Sequence, residues 1–198
     1  MRKRLKPGLL DAQRSRDVVT GKFFRNRVVA LIPYSRQNIG AAERRAVSRV
    51  LRGAWLTQGP AVSQFEEEFA AVVGAKFAIA FSSATAALHG AAASVGIKQG
   101  QKVATSALTF IASSNCIRYV GGSPRLVDID PDTLNMDLSR VRGVDAAVLV
   151  HFAGRPLQTE TVRLPKERVI EDASHALGAV GNSGPVGNCA NSAVTCFS

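Results

Sequence analysis

Cysteine is scarce in this chain, and the three residues present form no recognisable pattern. They are Cys116, Cys189 and Cys196, an odd number without C-x-x-C spacing. A disulfide framework needs paired cysteines in a secreted chain, and a structural zinc site needs clustered Cys or His ligands. We therefore expect reduced thiols in a cytoplasmic protein that has no metal site.

Long apolar runs and nucleotide-binding fingerprints are also missing. No apolar stretch approaches the roughly 18–20 residues that span a bilayer, so no membrane partner is expected. The sequence contains neither G-x-G-x-x-G nor G-x-x-x-x-G-K-[ST], which disfavours a dinucleotide-binding fold and a P-loop. With 46% apolar residues, the 198-residue chain can nevertheless bury a substantial core.

Positive charge is concentrated at the amino terminus. Residues 1–30 hold nine lysines and arginines against two aspartates, a net of +7, whereas residues 31–198 carry a net of +3. A nucleic-acid-binding domain would carry its basic patch on the folded body, so no nucleic-acid partner is expected. We interpret residues 1–31 as a basic, disordered extension; a transit peptide or an over-extended gene start is the alternative.

The rest of the chain alternates between strand-like and helical patterns. Helices are predicted at 41–52, 62–73, 84–95, 110–120 and 137–141, and strands at 77–81, 102–105, 125–128, 146–150 and 168–170. In the second helix Phe65, Phe69, Val72 and Val73 are expected to face inward. Strands that alternate with helices predict an α/β fold with a mostly parallel sheet.

The run Val169–Asp172 joins a strand pattern directly to a carboxylate, and His175 follows three residues later. Ligands of open α/β sheets bind just outside the carboxyl ends of the strands. Asp172 is therefore a candidate functional charge. The alternative is that Asp172 only caps a short helix.

A second candidate site is the junction from Ser82 to Thr85, where a predicted strand meets a predicted helix. Free backbone N–H groups and the positive end of a helix dipole suit a phosphate, although an ordinary helix cap would look the same. Phe110 follows another strand end and could cover a flat ring or simply fill the core. His151 and His89 are interpreted as structural.

Together these features fit a flat, phosphorylated cofactor with a ring nitrogen. A phosphate site, an aromatic ring and a strand-end carboxylate would meet at one edge of one sheet. Pyridoxal 5′-phosphate is such a cofactor, because an aspartate beside its pyridine nitrogen keeps the ring protonated as an electron sink.

At these residues the sequence resembles the DegT/DnrJ/EryC1/StrS family of sugar aminotransferases. The resemblance runs from about residue 32 to residue 198. It includes IPYSRQ at 32–37, LTQGP at 56–60, SSATAAL at 82–88, LTFIASSN at 108–115, VDIDPDTLNMD at 127–137, VHFAG at 150–154 and EDASHALGA at 171–179. Among subgroups it is most similar to transaminases that make UDP-4-amino-4,6-dideoxy-N-acetyl-β-L-altrosamine.

The resemblance implies a three-layer α/β/α large domain of fold-type I over residues 32–198, binding pyridoxal phosphate. It assigns Asp172 to the pyridine nitrogen and His175 to the neighbourhood of the phenolic oxygen. It further implies phosphate contacts from Ala84, Thr85 and Ser198, stacking by Phe110, and nucleotide-sugar contacts from Tyr34, Ala54, Trp55, Leu56 and Thr57. Amino transfer from glutamate to a 4-keto sugar nucleotide by a homodimer would follow.

Three departures from the family pattern stand out. Ala84 occupies a position where many members have glycine, and the segment between Gly154 and Val169 is short and contains Pro165, so a distorted crossover is expected. The family's Schiff-base lysine would lie beyond Ser198. The lysines present are Lys3, Lys6, Lys22, Lys76, Lys98, Lys102 and Lys166.

None of these lysines matches the family position, so the chain is expected to be the inactive front part of an aminotransferase, without the small domain. Two alternatives remain open. One is a non-catalytic protein that binds the cofactor or a nucleotide sugar, and the other is a sugar dehydratase of the same family.

Overall fold

The computed structural model describes Pro33 and residues 36–198, so the predictions for residues 1–31 and for Tyr34 lie outside it. The described residues fall into two units that divide after Gly53. The first contains helix α1, Ala41–Leu51, as predicted. At its start the Glu43 carboxylate accepts the Gly40 N–H at 2.6 Å, which satisfies a donor that the helix leaves free.

Helix α2, Pro60–Val73, opens the second unit. Pro60 suits the first turn because its missing N–H is not needed there, and Gly74 ends the helix in the left-handed conformation. The predicted inward face is partly wrong. Val73 is buried, but Phe65 and Val72 are exposed, since only one edge of the helix meets the rest of the unit.

The strand predicted at 77–81 is wrong. These residues adopt no regular structure, and Phe77 and Ile79 are each 74% exposed. The Ala80 N–H donates to the Glu66 carboxylate at 2.7 Å rather than to a neighbouring strand. An apolar run becomes a strand only when another strand accepts its backbone hydrogen bonds.

The remaining predicted strands are confirmed in one parallel sheet. The strands of the chain are β1 Lys102–Ser106, β2 Ser123–Val127, β3 Ala146–Val150, β4 Val169–Asp172, β5 Val180–Gly181, β6 Gly184–Pro185 and β7 Val194–Cys196. Five of them form the parallel sheet in the order β2-β1-β3-β4-β7, and β5 and β6 form a separate antiparallel pair. The α/β architecture predicted from the alternating pattern is thereby confirmed.

Two helices cover one face of this sheet. They are α3, Ala84–Ser94, and α4, Ala112–Tyr119. Both are rich in small residues, so their backbones approach the strands closely. The core beneath them includes Leu88, Ala92, Val103, Ile117, Val148 and Ile170, each no more than 1% exposed.

The opposite face is covered by irregular chain. Met136, Val141 and Leu157 pack there against Leu149 and Val169. The predicted short helix near 137–141 is a 3₁₀ turn, Leu138–Arg140. The crossover between β3 and β4 contains no α-helix, only the 3₁₀ turns Phe152–Gly154, Thr159–Thr161 and Lys166–Arg168, so the expectation of a distorted crossover is confirmed.

The direction of the covering helices decides where chemistry can occur. The Arg168 guanidinium, just before β4, donates to the Val95 carbonyl at the end of α3 at 2.9 Å. The carboxy-terminal end of α3 therefore lies at the amino end of β4, and α3 begins at the carboxyl edge of the sheet. Within residues 36–198 no helix is long and apolar enough to cross a membrane.

Candidate active site at the carboxyl edge of the sheet

Asp172 is the last residue of β4 and is 5% exposed. The alternative that it caps a helix is wrong, because the chain continues through two turns over residues 174–178. Its backbone carbonyl accepts the His151 N–H at 3.1 Å. The main chain at Asp172 is therefore fixed, and its carboxylate projects toward the face covered by α3 and α4, the face on which Ile170 is buried.

Both oxygens of the Asp172 carboxylate accept hydrogen bonds. Ser113 Oγ donates to Oδ2 at 2.6 Å. Ser174 donates to Oδ1 twice, from its hydroxyl at 2.7 Å and from its backbone N–H at 3.2 Å. Because each contact requires an acceptor, the arrangement matches a carboxylate and fixes its plane.

Ser113 lies in the first turn of α4 and links Asp172 to the preceding loop. Thr109 Oγ1 is 2.7 Å from Ser113 Oγ. Since the single proton of Ser113 is directed to Asp172, the Thr109 hydroxyl is the donor of that pair. Phe110, between them in sequence, is 71% exposed, so its ring is available to a ligand and is not part of the core.

The amino-terminal turn of α3 offers free N–H groups at the same edge of the sheet. Ser83 caps the helix by accepting the Ala86 N–H at 3.2 Å. No described residue accepts from the N–H of Ala84 or Thr85. Both are half-buried, so an anion placed there could receive two N–H donors as well as the helix dipole.

A buried pair supports β4 from the opposite face. His151 Nδ1 accepts the Leu157 N–H at 3.0 Å, so Nε2 carries the ring proton and donates to Glu171 Oε2 at 2.8 Å. His151 and Glu171 are 2% and 6% exposed. The structural role predicted for His151 agrees with this contact. It joins the loop after β3 to the strand that carries Asp172.

Two buried thiols lie within the electrostatic reach of Asp172. Burial and then the Asp172 charge raise the pKa of Cys116 from 9.0 to about 12. The same two causes, in the same order, raise the pKa of Cys196 to about 12. Both thiols therefore stay protonated at neutral pH and are poor nucleophiles.

The other predicted site residues are His175, Ser198 and residues 54–57. His175 is exposed, three residues beyond β4. Ser198 follows β7, whose Cys196 is in register with Asp172, so it extends from the same edge of the sheet. Ala54, Trp55, Leu56 and Thr57 form an exposed loop before α2.

Ser113 and Ser174 are site residues that the sequence analysis missed. Ser174 lies two residues after the aspartate, a spacing that suits a turn in which a carboxylate accepts the hydroxyl and N–H of the second residue. Ser113 had a weaker signal, a hydroxyl four residues after Thr109 at the start of a helix. Its contact with Asp172 spans 59 positions and depends on the tertiary fold.

The groups at this edge of the sheet indicate which class of cofactor it could bind. A fixed carboxylate suits a protonated ring nitrogen, free N–H groups at a helix start suit a phosphate, and an exposed aromatic ring suits a flat heterocycle. These groups fit pyridoxal phosphate. Three or more His, Cys, Asp or Glu side chains do not cluster in metal-binding geometry anywhere in the part of the chain that is described.

The fold and this edge define a parallel α/β protein of the type that binds such cofactors, and sequence comparison gives the family. Residues 37–198 match the DegT/DnrJ/EryC1/StrS aminotransferase family, to which this chain belongs. The spore coat polysaccharide biosynthesis protein SpsC of Bacillus subtilis is 41% identical over 155 residues, which cover 74% of this chain and 40% of that protein.

Solved structures agree with this assignment. A sugar aminotransferase of Streptococcus pneumoniae in its PLP form superposes with a TM-score of 0.76 at 27% identity, covering 84% of this chain and 48% of that one. The Helicobacter pylori aminotransferase PseC, involved in the biosynthesis of pseudoaminic acid, gives a TM-score of 0.72 at 28% identity, covering 78% and 44%. The chain thus spans less than half the length of these relatives.

Proposed function

We propose that this chain is the cofactor-binding part of an enzyme that transfers an amino group from an amino acid, expected to be glutamate, to a 4-keto nucleotide sugar. The observation that carries the proposal is the Asp172 carboxylate, held by three hydrogen bonds at the sheet edge where α3 begins. Family membership supports amino transfer, and SpsC and PseC support a role in sugar biosynthesis.

Each residue of the edge has a separate task in this proposal. Asp172 holds the proton on the cofactor's pyridine nitrogen, and the amino-terminal turn of α3 at Ala84 and Thr85 binds its phosphate with Ser198. Phe110 covers one face of the ring, and His175 lies near the phenolic oxygen. When bound, pyridoxal phosphate supplies the electron sink that amino transfer requires.

The described lysines lie elsewhere. Lys98, Lys102 and Lys166 belong to turns or strand starts at the amino edge of the sheet, and Lys76 packs over the exposed Phe77 ring. Because Lys98, Lys102 and Lys166 lie at the amino edge, away from Asp172, we expect the 198-residue chain alone to bind the cofactor without turning over. The same observation favours non-catalytic binding as the second candidate function.

The exposed loop containing Trp55 is the proposed contact for the nucleotide sugar. Trp55 is the only tryptophan of the chain and is 68% exposed, so its fluorescence reports on this loop alone. The family resemblance also assigns Tyr34 to the nucleotide sugar, and this residue lies outside the described part of the chain. A homodimer in the cytoplasm is the expected state of the intact enzyme.

Binding of pyridoxine 5′-phosphate to the 198-residue chain tests the cofactor site. This compound lacks the aldehyde, so it cannot react with surface lysines. We expect saturable binding in equilibrium dialysis, weakened about tenfold or more by Asp172→Asn and unchanged by Asp132→Asn, whose residue is exposed. Absence of saturable binding, or equal affinities for all three proteins, would contradict the proposal.

Two further measurements test the substrate and the chemistry. Titration with a UDP-sugar should change Trp55 fluorescence saturably. A tryptophan solution of equal absorbance, titrated in the same way, gives the background change. Incubation with glutamate and pyridoxal phosphate should yield no 2-oxoglutarate above the free cofactor. If 2-oxoglutarate forms faster than with the free cofactor, an amine of this chain acts in the transfer, and the expected inactivity is overturned.

A further inference from the structure

We propose that Ser113 is a positioning residue that fixes Asp172 for its contact with the cofactor's ring nitrogen. This inference rests on the proposed function, and it assigns a specific task to a residue of α4. The carboxylate and the hydroxyl come from elements that are 59 positions apart. They are brought together only because α4 begins at the carboxyl edge of the sheet.

The geometry gives Ser113 a single role. Its side chain is fully buried, and its hydroxyl has one proton with three possible acceptors in range. The Asp172 carboxylate lies at 2.6 Å, the Thr109 hydroxyl at 2.7 Å and the Phe110 carbonyl at 3.3 Å. A charged acceptor at the shorter distance takes the proton, and the hydroxyl then accepts from Thr109.

Ser113 donates a hydrogen bond to one oxygen of the Asp172 carboxylate, and Ser174 donates to the other. Ser174 donates only to Oδ1, so without Ser113 the Oδ2 atom would lose its one donor among the described residues. The carboxylate would then be held at Oδ1 alone, and its plane could tilt within the limits of the Ser174 contacts. A ring nitrogen that needs one oxygen in a fixed direction would bind less tightly.

A pair of ligands separates positioning from general structural support. The first is pyridoxine 5′-phosphate and the second is its analogue with CH in place of the ring nitrogen. If Ser113 acts through the contact between Asp172 and the nitrogen, Ser113→Ala should raise the Kd of the first about tenfold and leave the Kd of the second within twofold. A merely structural loss would weaken both ligands equally.

Ser114→Ala is the matched control on the same helix. The Ser114 hydroxyl donates to the Ile111 carbonyl and makes no recorded contact with Asp172, so both affinities should be unchanged. Thr109→Val is a milder second variant, because it removes the donor to Ser113 and keeps the Ser113 hydroxyl. It should produce a smaller loss that is again selective for the ligand with the ring nitrogen.

The outcomes separate this inference from the proposed function. If the unaltered chain binds neither ligand, the proposed function fails and the inference fails with it. If Asp172→Asn weakens binding of the first ligand selectively while Ser113→Ala and Thr109→Val do not, only the role of Ser113 is overturned. If Ser113→Ala strongly lowers the unfolding midpoint, the role of Ser113 is judged from the Thr109→Val variant instead, by comparing its affinities for the two ligands.

Discussion

Strand β3, Ala146–Val150, and the segment 77–81 are both five-residue apolar runs, yet only the first forms a strand. All five residues of β3 are buried, and the strand pairs with β1 on one side and β4 on the other. In the segment 77–81, Phe77 and Ile79 are 74% exposed. Apolar composition is therefore necessary for a central strand but does not create one.

The difference lies in the available backbone partners. A strand in a sheet exchanges N–H and C=O groups with neighbours along its whole length, and β3 has two neighbours in register. The Ala80 N–H instead uses the carboxylate of Glu66 on α2. The functional edge of the molecule follows from the same rule, because β3 and β4 end together and bring His151 beside Asp172.

The largest effect is expected from truncating a side chain in β3. Leu149→Ala should lower the free energy of unfolding by about 2–5 kcal/mol, because it removes buried methyl groups and leaves a cavity. Ile79→Ala in the exposed segment should change it by no more than about 0.5 kcal/mol. Urea unfolding followed by circular dichroism measures both. Similar losses would show that residues 77–81 are buried in solution.

A methyl group at the turn after β3 should have the next largest effect. Gly154 has φ +82°, and an added Cβ would lie 2.7 Å from the His175 carbonyl oxygen. Gly100 has φ +87°, and no atom of the described residues lies within 4 Å of a Cβ added there, so Gly100→Ala isolates the backbone strain of about 1–2 kcal/mol. We expect Gly154→Ala to cost at least about 1 kcal/mol more. Equal costs in urea unfolding would refute the close approach.

Alkaline pH should destabilise the sheet through its buried thiols. The pKa values of Cys116 and Cys196 are raised from 9.0 to about 12 in the folded chain, so the folded state keeps protons that the unfolded state loses. Their contribution is fully present below pH 9 and is lost as the pH rises toward 12. At pH 10 the loss should be about 1 kcal/mol for each thiol.

Matched cysteine variants isolate this effect from lysine and tyrosine titration. Unfolding free energies at pH 8 and pH 10 should fall less steeply in the Cys116→Ala and Cys196→Ala variants than in the unaltered chain. Ser114→Ala, on the same helix as Cys116, leaves both buried thiols in place and should keep the original steepness. An identical decline in all four proteins would show that the buried thiols do not contribute.

The smallest effect on stability is expected in the exposed segment itself. Phe77→Lys should change the free energy of unfolding by less than about 0.5 kcal/mol, because the ring lies in solvent. The same change removes an exposed apolar group and should reduce self-association. Light scattering against concentration measures this, with Lys76→Gln as a control for charge. Loss of folded structure in Phe77→Lys would contradict the exposed placement.

The sequence was informative wherever a local pattern was sufficient. The strands at 102–105, 125–128, 146–150 and 168–170 followed from short apolar runs between turn residues. The functional interpretation of Asp172 also started from a local feature, a carboxylate at a strand end. The distorted crossover before β4 could be expected because Pro165 cannot lie inside a helix.

Other features depended on residues that are distant in the sequence. The exposure of Phe65 and Val72 follows from which elements happen to lie against α2, and helical periodicity cannot supply that information. The tautomer of His151 depends on the Leu157 N–H and on Glu171, which come from a loop and a neighbouring strand. A single histidine in the sequence gives no indication of either partner.

The sequence by itself determined the alternating α/β pattern, the strand-end carboxylate at Asp172 and the membership of an aminotransferase family. Local propensity and side-chain chemistry are sufficient for the first two features, and the third rests on the resemblance of the chain's motifs to those of the family. Only the tertiary structure decided that the run 77–81 is not a strand and that Ser113 holds Asp172. Strand pairing and the hydrogen bond between Ser113 and Asp172 need partners from distant parts of the chain, and those partners meet only when the sheet and its covering helices assemble.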